Sequence, residues 1–338
     1  MFKEIFETTL MQMVVLMLFI AIGFVLVKTK VLNKTSIKTL SKLVSTVFLP
    51  LVLVKSFMTS FTIENISASG AVLILSVCVA AGTTFLGLLL GKLIIKNDDF
   101  LKKMYQYGLI YSNFTYMGIP IVQAIDENYL IYYLIFTIIP QFVFTLWALP
   151  NLLIPVEYQA NDTESSVFKK YLKRLFNPIF IGLLIGAILG LTGLGLKIST
   201  NVKFLWDVIA GGAACMSPIA MILTGVVIAS YDIVKCLKDF RIYIISVLRL
   251  IAIPVAFGLA FLLVAYLGKK LSIFTLNDND YIILLTCIIT YTSMPLGLNT
   301  VIIPSSFDKD VIDCAGMSLV SHILGIITIP IIFAMFLS

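Results

Sequence analysis

The feature that most constrains this chain is its series of apolar runs, each about 20 residues long and separated by short polar segments. A helix of that length crosses the hydrocarbon core of a bilayer, whereas a strand with unpaired edges is not stable in lipid. Charged residues make up 12% of the chain, which is roughly half of their share in soluble domains. The sequence therefore predicts an all-α polytopic membrane protein.

Ten transmembrane helices are predicted from these runs. They lie at 9–28, 37–58, 69–95, 103–125, 129–154, 177–195, 204–230, 242–267, 280–303 and 311–337. A polar segment divides them into a first five-helix repeat at 1–154, a linker at 155–176 and a second repeat at 177–338. Because five is odd, two homologous halves would insert with opposite topologies, and such a 5+5 inverted repeat is typical of secondary transporters.

Two pairs of prolines support the repeat. Pro50 and Pro218 lie 168 residues apart, and Pro120 and Pro295 lie 175 apart. The last two each follow a tyrosine by four residues, at Tyr116 and Tyr291. A near-constant offset of this kind is expected when one half of the chain repeats the other.

The basic residues predict the orientation. Of the 24 Lys and Arg residues, 17 fall in the loops after odd-numbered spans, six lie on the opposite face with the termini, and one, Arg249, lies inside a span. Cytoplasmic loops carry the excess of positive charge. We therefore expect a multi-pass protein of the plasma membrane with a cytoplasmic linker and both termini outside. The net charge of +6 comes from residues that flank apolar runs, so lipid is the expected partner and nucleic acid is not.

Spans 4 and 9 combine Gly, Pro and hydrogen-bonding side chains in the middle of apolar runs. Proline removes a backbone donor and favours the start of a new helix. Two half-helices beginning at Pro120 and Pro295 would each place a helix N-terminus, with its partial positive charge, at membrane depth. Two such ends at one cavity favour an anion, commonly a carboxylate, although ordinary proline kinks are the alternative. The candidate substrate-binding residues of these spans are Asn113, Tyr116, Gly118, Pro120, Tyr291, Thr292, Ser293, Pro295 and Asn299.

Arg249 and His322 complete the candidate site. Arg249 is a charge well inside a span, where it either meets an anionic substrate or bonds backbone carbonyls or the cytoplasmic interface. His322 is the single histidine, and it either binds substrate or a proton, or forms a neutral hydrogen bond between helices.

The sequence offers little for other chemistry. The five cysteines show no metal-ligand spacing, and the spans hold no deep carboxylate for an acid–base pair, so neither a metal site nor an enzyme is expected. No cofactor is predicted, and a coupling ion, H⁺ or Na⁺, remains open. The alternative to a carrier is a receptor or sensor that binds the same ligand without moving it.

Several motifs carry a resemblance to a known family. They are Ile20-Ala21-Ile22-Gly23-Phe24, Phe48-Leu49-Pro50, Asn113-x4-Gly118-x-Pro120, Asn177-Pro178, Pro218 with Gly225, Arg249 ahead of Pro254, and Met294-Pro295. Over nearly its whole length the chain resembles a bacterial-type member of the auxin efflux carrier family, similar to its malate and malonate permeases and PIN-like carriers. His322 departs from the pattern, which has a small hydroxyl residue at this place, and leaves the substrate and the coupling ion open.

The resemblance implies a fold and a function. It implies ten helices in an inverted repeat, with a scaffold part and a mobile transport part in which helices 4 and 9 cross. It also implies a homodimer that carries small carboxylates such as malate, malonate or an auxin-like aromatic acid. The predicted function is secondary transport of a small organic anion by alternating access at that crossing.

Overall fold

The computed structural model describes residues 2–155, 177–232, 237–273, 275–305, 307, 309 and 311–338. Within these residues the regular structure is helical, and one isolated antiparallel bridge joins Ser112 to Leu296. The predicted linker at 155–176 lies outside the described residues, apart from its first position.

The helices follow one another along the whole chain. Before the linker they are α1 (Phe2–Lys28), α2 (Ser36–Leu43), α3 (Leu49–Ser60), α4 (Ile63–Ile94), α5 (Asp99–Ile110), α6 (Ile119–Ile125) and α7 (Leu130–Val143). After it they are α8 (Pro178–Leu191), α9 (Leu194–Asn201), α10 (Lys203–Ala214), α11 (Met216–Ala229), α12 (Phe240–Val247), α13 (Ile253–Lys270), α14 (Asp278–Ser293), α15 (Asn299–Ser305) and α16 (Ile312–Leu337). π-Helical turns occupy Val44–Phe48, Phe114–Gly118, Phe144–Leu153 and Leu248–Ala252, and a 3₁₀ turn occupies Glu127–Tyr129.

Many of these helices are long and apolar enough to cross a membrane. Seven such spans occur among the described residues, at Phe2–Lys28, Ser36–Ser60, Gly70–Ile94, Glu127–Leu153, Lys203–Ala229, Phe240–Lys270 and Ile312–Leu337. The pair α8 and α9 makes an eighth if it is one bent span. Large apolar side chains such as Met11, Phe85 and Ile327 are exposed on these helices, as expected for surfaces that face lipid. The chain is an all-helical multi-pass membrane protein, and the count of ten helices stays a prediction.

Three prolines lie just after π-helical turns. The turns that end at Phe48, Gly118 and Ala252 each stop two residues before a proline, at Pro50, Pro120 and Pro254. A proline ring has no N–H and collides with the carbonyl four residues earlier in a regular α-helix. A wider turn accommodates both effects, so the helix continues through the proline.

Glycines allow two pairs of helices to touch closely. α1 packs along α11, and a Cβ built at Gly225 would lie only 1.9 Å from the carbonyl oxygen of Ile20. α8 packs along α3 through Gly182, Gly186 and Gly190, which are spaced by four residues on one face. Small residues at this spacing are the usual means by which membrane helices approach each other.

The two helices predicted to be broken are interrupted, at positions different from those expected. Half-helices were predicted to begin at Pro120 and Pro295. Instead α5 ends at Ile110 and helical structure resumes at Phe114, while α14 ends at Ser293 and α15 begins at Asn299. The bridge between Ser112 and Leu296 holds both stretches extended; Pro295 lies within the second stretch, whereas Pro120 lies beyond the first.

Candidate functional site

The two interrupted segments meet at their breaks and satisfy each other's backbone groups. The N–H of Asn113 donates to the carbonyl of Pro295 at 2.7 Å, and the N–H of Gly297 donates to the carbonyl of Tyr111 at 3.4 Å. The hydroxyl of Ser112 donates to the carbonyl of Tyr291 at 2.6 Å. Irregular backbone at membrane depth needs such partners because lipid offers none.

Arg249 lies at the ends of the two helices that enter this crossing. It is fully buried on the π-helical turn Leu248–Ala252. Its Nη1 donates to the carbonyl of Leu109 in the last turn of α5, and its Nη2 donates to the carbonyl of Tyr291 in the last turn of α14, each at 2.9 Å. The last carbonyls of a helix lack intrahelical partners and carry partial negative charge, so a cation is stabilised there.

A cavity of about 260 Å³ adjoins the crossing. This volume lies near the lower end of small-molecule sites, which range over about 300–1,000 Å³. The polar lining side chains are Ser41, Ser45, Tyr107, Ser112, Asn113, Thr115, Tyr116, Gln141 and Asn299. The apolar lining includes Phe114, Phe144 and Leu149. No Lys, Arg, His, Asp or Glu belongs to this lining, as far as the structure describes the chain.

The starts of two helices adjoin the cavity. The helical stretch that begins at Phe114 continues through Gly118 into α6, and its first residues line the cavity. The N–H groups at its start have no carbonyl one turn earlier, as at every helix N-terminus. α15 begins at Asn299, whose side chain donates to the hydroxyl of Tyr107 at 3.1 Å. The cavity therefore combines a positive backbone end with neutral hydrogen-bonding side chains.

His322 contacts Asn113 but does not belong to the cavity lining. Its Nδ1 is 2.7 Å from the carbonyl oxygen of Ser318, and its Nε2 is 3.4 Å from Nδ2 of Asn113. A carbonyl only accepts, so Nδ1 carries the proton and Nε2 accepts from the Asn113 amide. The ring thus joins α16 to the crossing.

The structure separates the remaining predicted residues into lining and support. Asn113, Tyr116 and Asn299 line the cavity. Outside the lining, Thr292 and Ser293 donate to carbonyls of their own helix, at Ile288 and Ile289. Other predicted residues outside the lining are Gly118, Pro120, Tyr291, Pro295, Arg249 and His322.

Gly118 supports the site through a close approach. A Cβ at this position would lie 2.2 Å from the hydroxyl of Tyr133. That hydroxyl donates to the carbonyl of Phe114 at 2.8 Å, in the first turn of the half-helix. Gly118 therefore leaves room for the side chain that fixes the start of this helix.

Several lining residues were not predicted from the sequence. Ser112 and Thr115 flank Asn113, and Tyr107 lies less than two turns earlier on α5, so the neighbourhood of the motif was the available signal. Gln141, in α7, also lines the cavity. Ser41 and Ser45 are one turn apart on a continuous helix, which is a weak signal in a membrane span.

The described residues contain no group of three or more His, Cys, Asp or Glu side chains that could hold a metal ion.

None of the curated proteins compared with this chain matches it. A family model described as membrane transport protein matches residues 8–333, nearly the whole sequence. This is a family of transporters and not of enzymes, and it agrees with the broken helices that meet beside a cavity. The chain belongs to this membrane transport family, that of the auxin efflux carriers.

Proposed function

We propose that this protein is a secondary carrier of a small organic anion, a carboxylate, which binds in the cavity beside the crossing. The observation that carries the proposal is that the helix C-terminal ends have a compensating charge from the protein and the helix start at the cavity has none among the described lining residues. Arg249 neutralises the C-terminal ends of α5 and α14, whereas no acidic side chain lies among the described lining residues near the helix start at Phe114. An anion supplies the missing negative charge at that start.

The packing of the long helices supports an inverted repeat of five plus five helices. α1 lies along α11, and α8 lies along α3. In each pair the first predicted helix of one half contacts the part of the other half's second helix that carries its proline, Pro50 or Pro218. Such a reciprocal exchange is what a two-fold related pair of halves produces. Alternating access then follows from movement of the crossing helices against this scaffold.

The cavity supports an inward-facing conformation. Ser41 and Ser45 follow the lysine-rich loop after α1, and Leu149 and Ile179 lie on either side of the linker segment. In the orientation that the basic residues predict, all four belong to the cytoplasmic ends of their helices. The cavity then extends from the crossing towards the cytoplasm.

Charge selectivity tests the proposed substrate class. A thermal-shift screen of small carboxylates first selects the carbon skeleton that most stabilises the purified protein. Uptake of that acid into proteoliposomes is then measured with its amide and its amine as competitors. Each lost charge-assisted contact costs on the order of 1–3 kcal/mol. The amide should therefore compete at least about tenfold more weakly than the acid, since 1.4 kcal/mol corresponds to a factor of ten.

Two results would contradict the proposal in different ways. Equal competition by acid and amide, or preference for the amine, would remove the anion assignment. Binding of the acid without uptake into the vesicles would favour the receptor alternative over the carrier.

A further inference from the structure

The guanidinium of Arg249 joins the C-terminal ends of two helices, α5 and α14, that are far apart in the sequence. Its two bonds, to the carbonyls of Leu109 and Tyr291, are each 2.9 Å long. The planar guanidinium presents its donors as a fixed fork, so one side chain serves both helices at once.

In carriers built on discontinuous helices, the C-terminal ends of half-helices and the unwound carbonyls commonly coordinate a coupling Na⁺. The reason is general, because these carbonyls lack N–H partners and sum to a partial negative charge. Here the same kind of position holds a cation that is covalently part of the chain. Arg249 forms no ion pair in the part of the chain that the structure describes, so no acidic partner there cancels its charge.

The number of acceptors at this position also matters. The Nε–H of Arg249 is buried and has no hydrogen-bond partner among the described residues. The carbonyls of Leu109 and Tyr291 are therefore the acceptors that the guanidinium uses within the described residues.

We propose that Arg249 is a positioning residue that replaces a coupling cation, so that anion transport by this protein does not require Na⁺. The inference rests on the proposed function for its transport consequence, and on geometry alone for its consequence on folding. Without the side chain, the carbonyl of Leu109 would lose the guanidinium and the carbonyl of Tyr291 would keep only the Ser112 hydroxyl. Small cations should then bind between them.

Thermal unfolding of the purified protein tests the geometric part without any substrate. Wild type, Arg249→Ala and Arg249→Lys are compared in choline, sodium and low-millimolar guanidinium chloride at equal ionic strength. Arg241→Ala is the matched control, since Arg241 lies eight residues earlier and pairs with Asp239 near the start of α12. We expect the same Tm for wild type in sodium and in choline. Arg249→Ala should have a lower Tm that guanidinium raises, and Arg241→Ala should show no such rescue.

Uptake of the screened carboxylate tests the transport part. Wild type should take up equal amounts with sodium or choline outside. Arg249→Ala should lose at least about tenfold of the uptake, a loss equivalent to 1.4 kcal/mol, and guanidinium should restore part of it. If Arg249→Ala does not fold, Arg249→Lys, which keeps the charge, should fold and remain indifferent to sodium.

The results that overturn the inference are distinct from failure of the proposed function. A saturable rise of the wild-type Tm with sodium, or uptake by wild type only in sodium, would show a separate coupling site. An Arg249→Ala Tm equal to that of wild type, or not raised by guanidinium, would remove the positioning role. Absence of wild-type uptake in every salt would contradict the carrier function, while the Tm series would still decide the role of Arg249.

Discussion

Asn113 is the residue at which the crossing, the cavity and the last long helix come together. Its N–H bonds Pro295, and its own carbonyl accepts from Met117 at 3.0 Å in the first turn of the half-helix. Its side chain lines the cavity and lies 3.4 Å from Nε2 of His322. A change of charge on the Asn113 side chain should therefore act on the substrate without removing the backbone contacts.

Asn113→Asp tests this role with little change in shape. Asp is as good as Asn before a helix start and a negative charge is stabilising there, so the backbone contacts should be retained while the donor to Nε2 of His322 is lost. The same charge would repel an anion in the cavity, and uptake should fall at least about tenfold, which corresponds to 1.4 kcal/mol. Uptake and Tm are measured for this variant and for Asn128→Asp, an exposed control. Wild-type uptake by Asn113→Asp would show that the anion does not pass this residue.

The sequence identified Asn113 but could not identify its partners. The contact with His322 joins residues 209 positions apart, and the bond of Asn299 to Tyr107 spans 192. Local spacing carries no information about such pairs. For the same reason the sequence left Arg249 between an anionic substrate and backbone carbonyls, because the helix ends it meets are distant in the chain.

Among the elements, the half-helix that begins at Phe114 is contacted in its first turn by the hydroxyl of Tyr133. Gly118→Ala would place a methyl group where the hydroxyl of Tyr133 lies, and would displace its bond to the carbonyl of Phe114. Overpacking of this kind costs about 1–3 kcal/mol. We expect a lower Tm and reduced uptake for Gly118→Ala. Adding Tyr133→Phe, which removes the colliding oxygen, should lower the Tm less in the Gly118→Ala background than in wild type.

The expected non-additivity is the decisive measurement, since contacting residues couple and distant ones do not. Additive effects of Gly118→Ala and Tyr133→Phe on Tm would contradict the contact. Gly70→Ala is a suitable control, because a Cβ there meets nothing within 4 Å.

The contact between α1 and α11 gives a second test at this scale. A methyl group at Gly225 would collide with the backbone of Ile20, so Gly225→Ala should force the two helices apart and lower the Tm. The cost should be about 1–3 kcal/mol. At Gly211, in α10, a Cβ meets nothing within 4 Å, and replacing glycine by alanine inside a helix gains up to about 1 kcal/mol. Thermal unfolding should therefore move in opposite directions for Gly225→Ala and Gly211→Ala.

The helix interruptions show which features of a broken helix can be predicted from its prolines. The sequence correctly predicted that the segments around Pro120 and Pro295 are not continuous helices, because glycine, proline and polar side chains coincide there. It placed the new helix starts wrongly, because the helix from Phe114 continues through Pro120 after a π-helical turn and the bridge between Ser112 and Leu296 keeps the chain extended past Pro295. The position of a break depends on the partner segment, which proline alone does not specify.

For the whole molecule, composition and run length were sufficient for the class. An all-helical membrane protein follows from apolar runs that match a bilayer, and the described residues contain seven such spans and one bent pair. The bend of 91° between α8 and α9 was not predicted. It occurs at Gly193, whose φ of +68° is a left-handed conformation that glycine adopts at little cost. Many glycines lie in the apolar runs of this chain, so Gly193 by itself did not predict the turn.

Orientation is the remaining prediction for the whole molecule, and side-specific labelling measures it. In a variant without the native cysteines, a thiol reagent that cannot cross membranes should label Glu127→Cys in intact cells. It should leave Glu164→Cys unlabelled, because the basic residues place the linker in the cytoplasm. Labelling in the reverse pattern would show that the orientation is opposite to the one that the basic residues predict.

Ser45→Cys then reports on the cavity within that orientation. Ser45 lines the cavity on the side of the lysine-rich loop, so the reagent should reach it from inside-out vesicles and not from intact cells. A bound carboxylate should slow the labelling, because ligand and reagent share the same cavity. Equal labelling from both sides would contradict an inward-facing conformation, because the reagent would then reach Ser45 as readily from outside. Protection by the acid but not by its amide would connect the side of access to the anion selectivity of the same cavity.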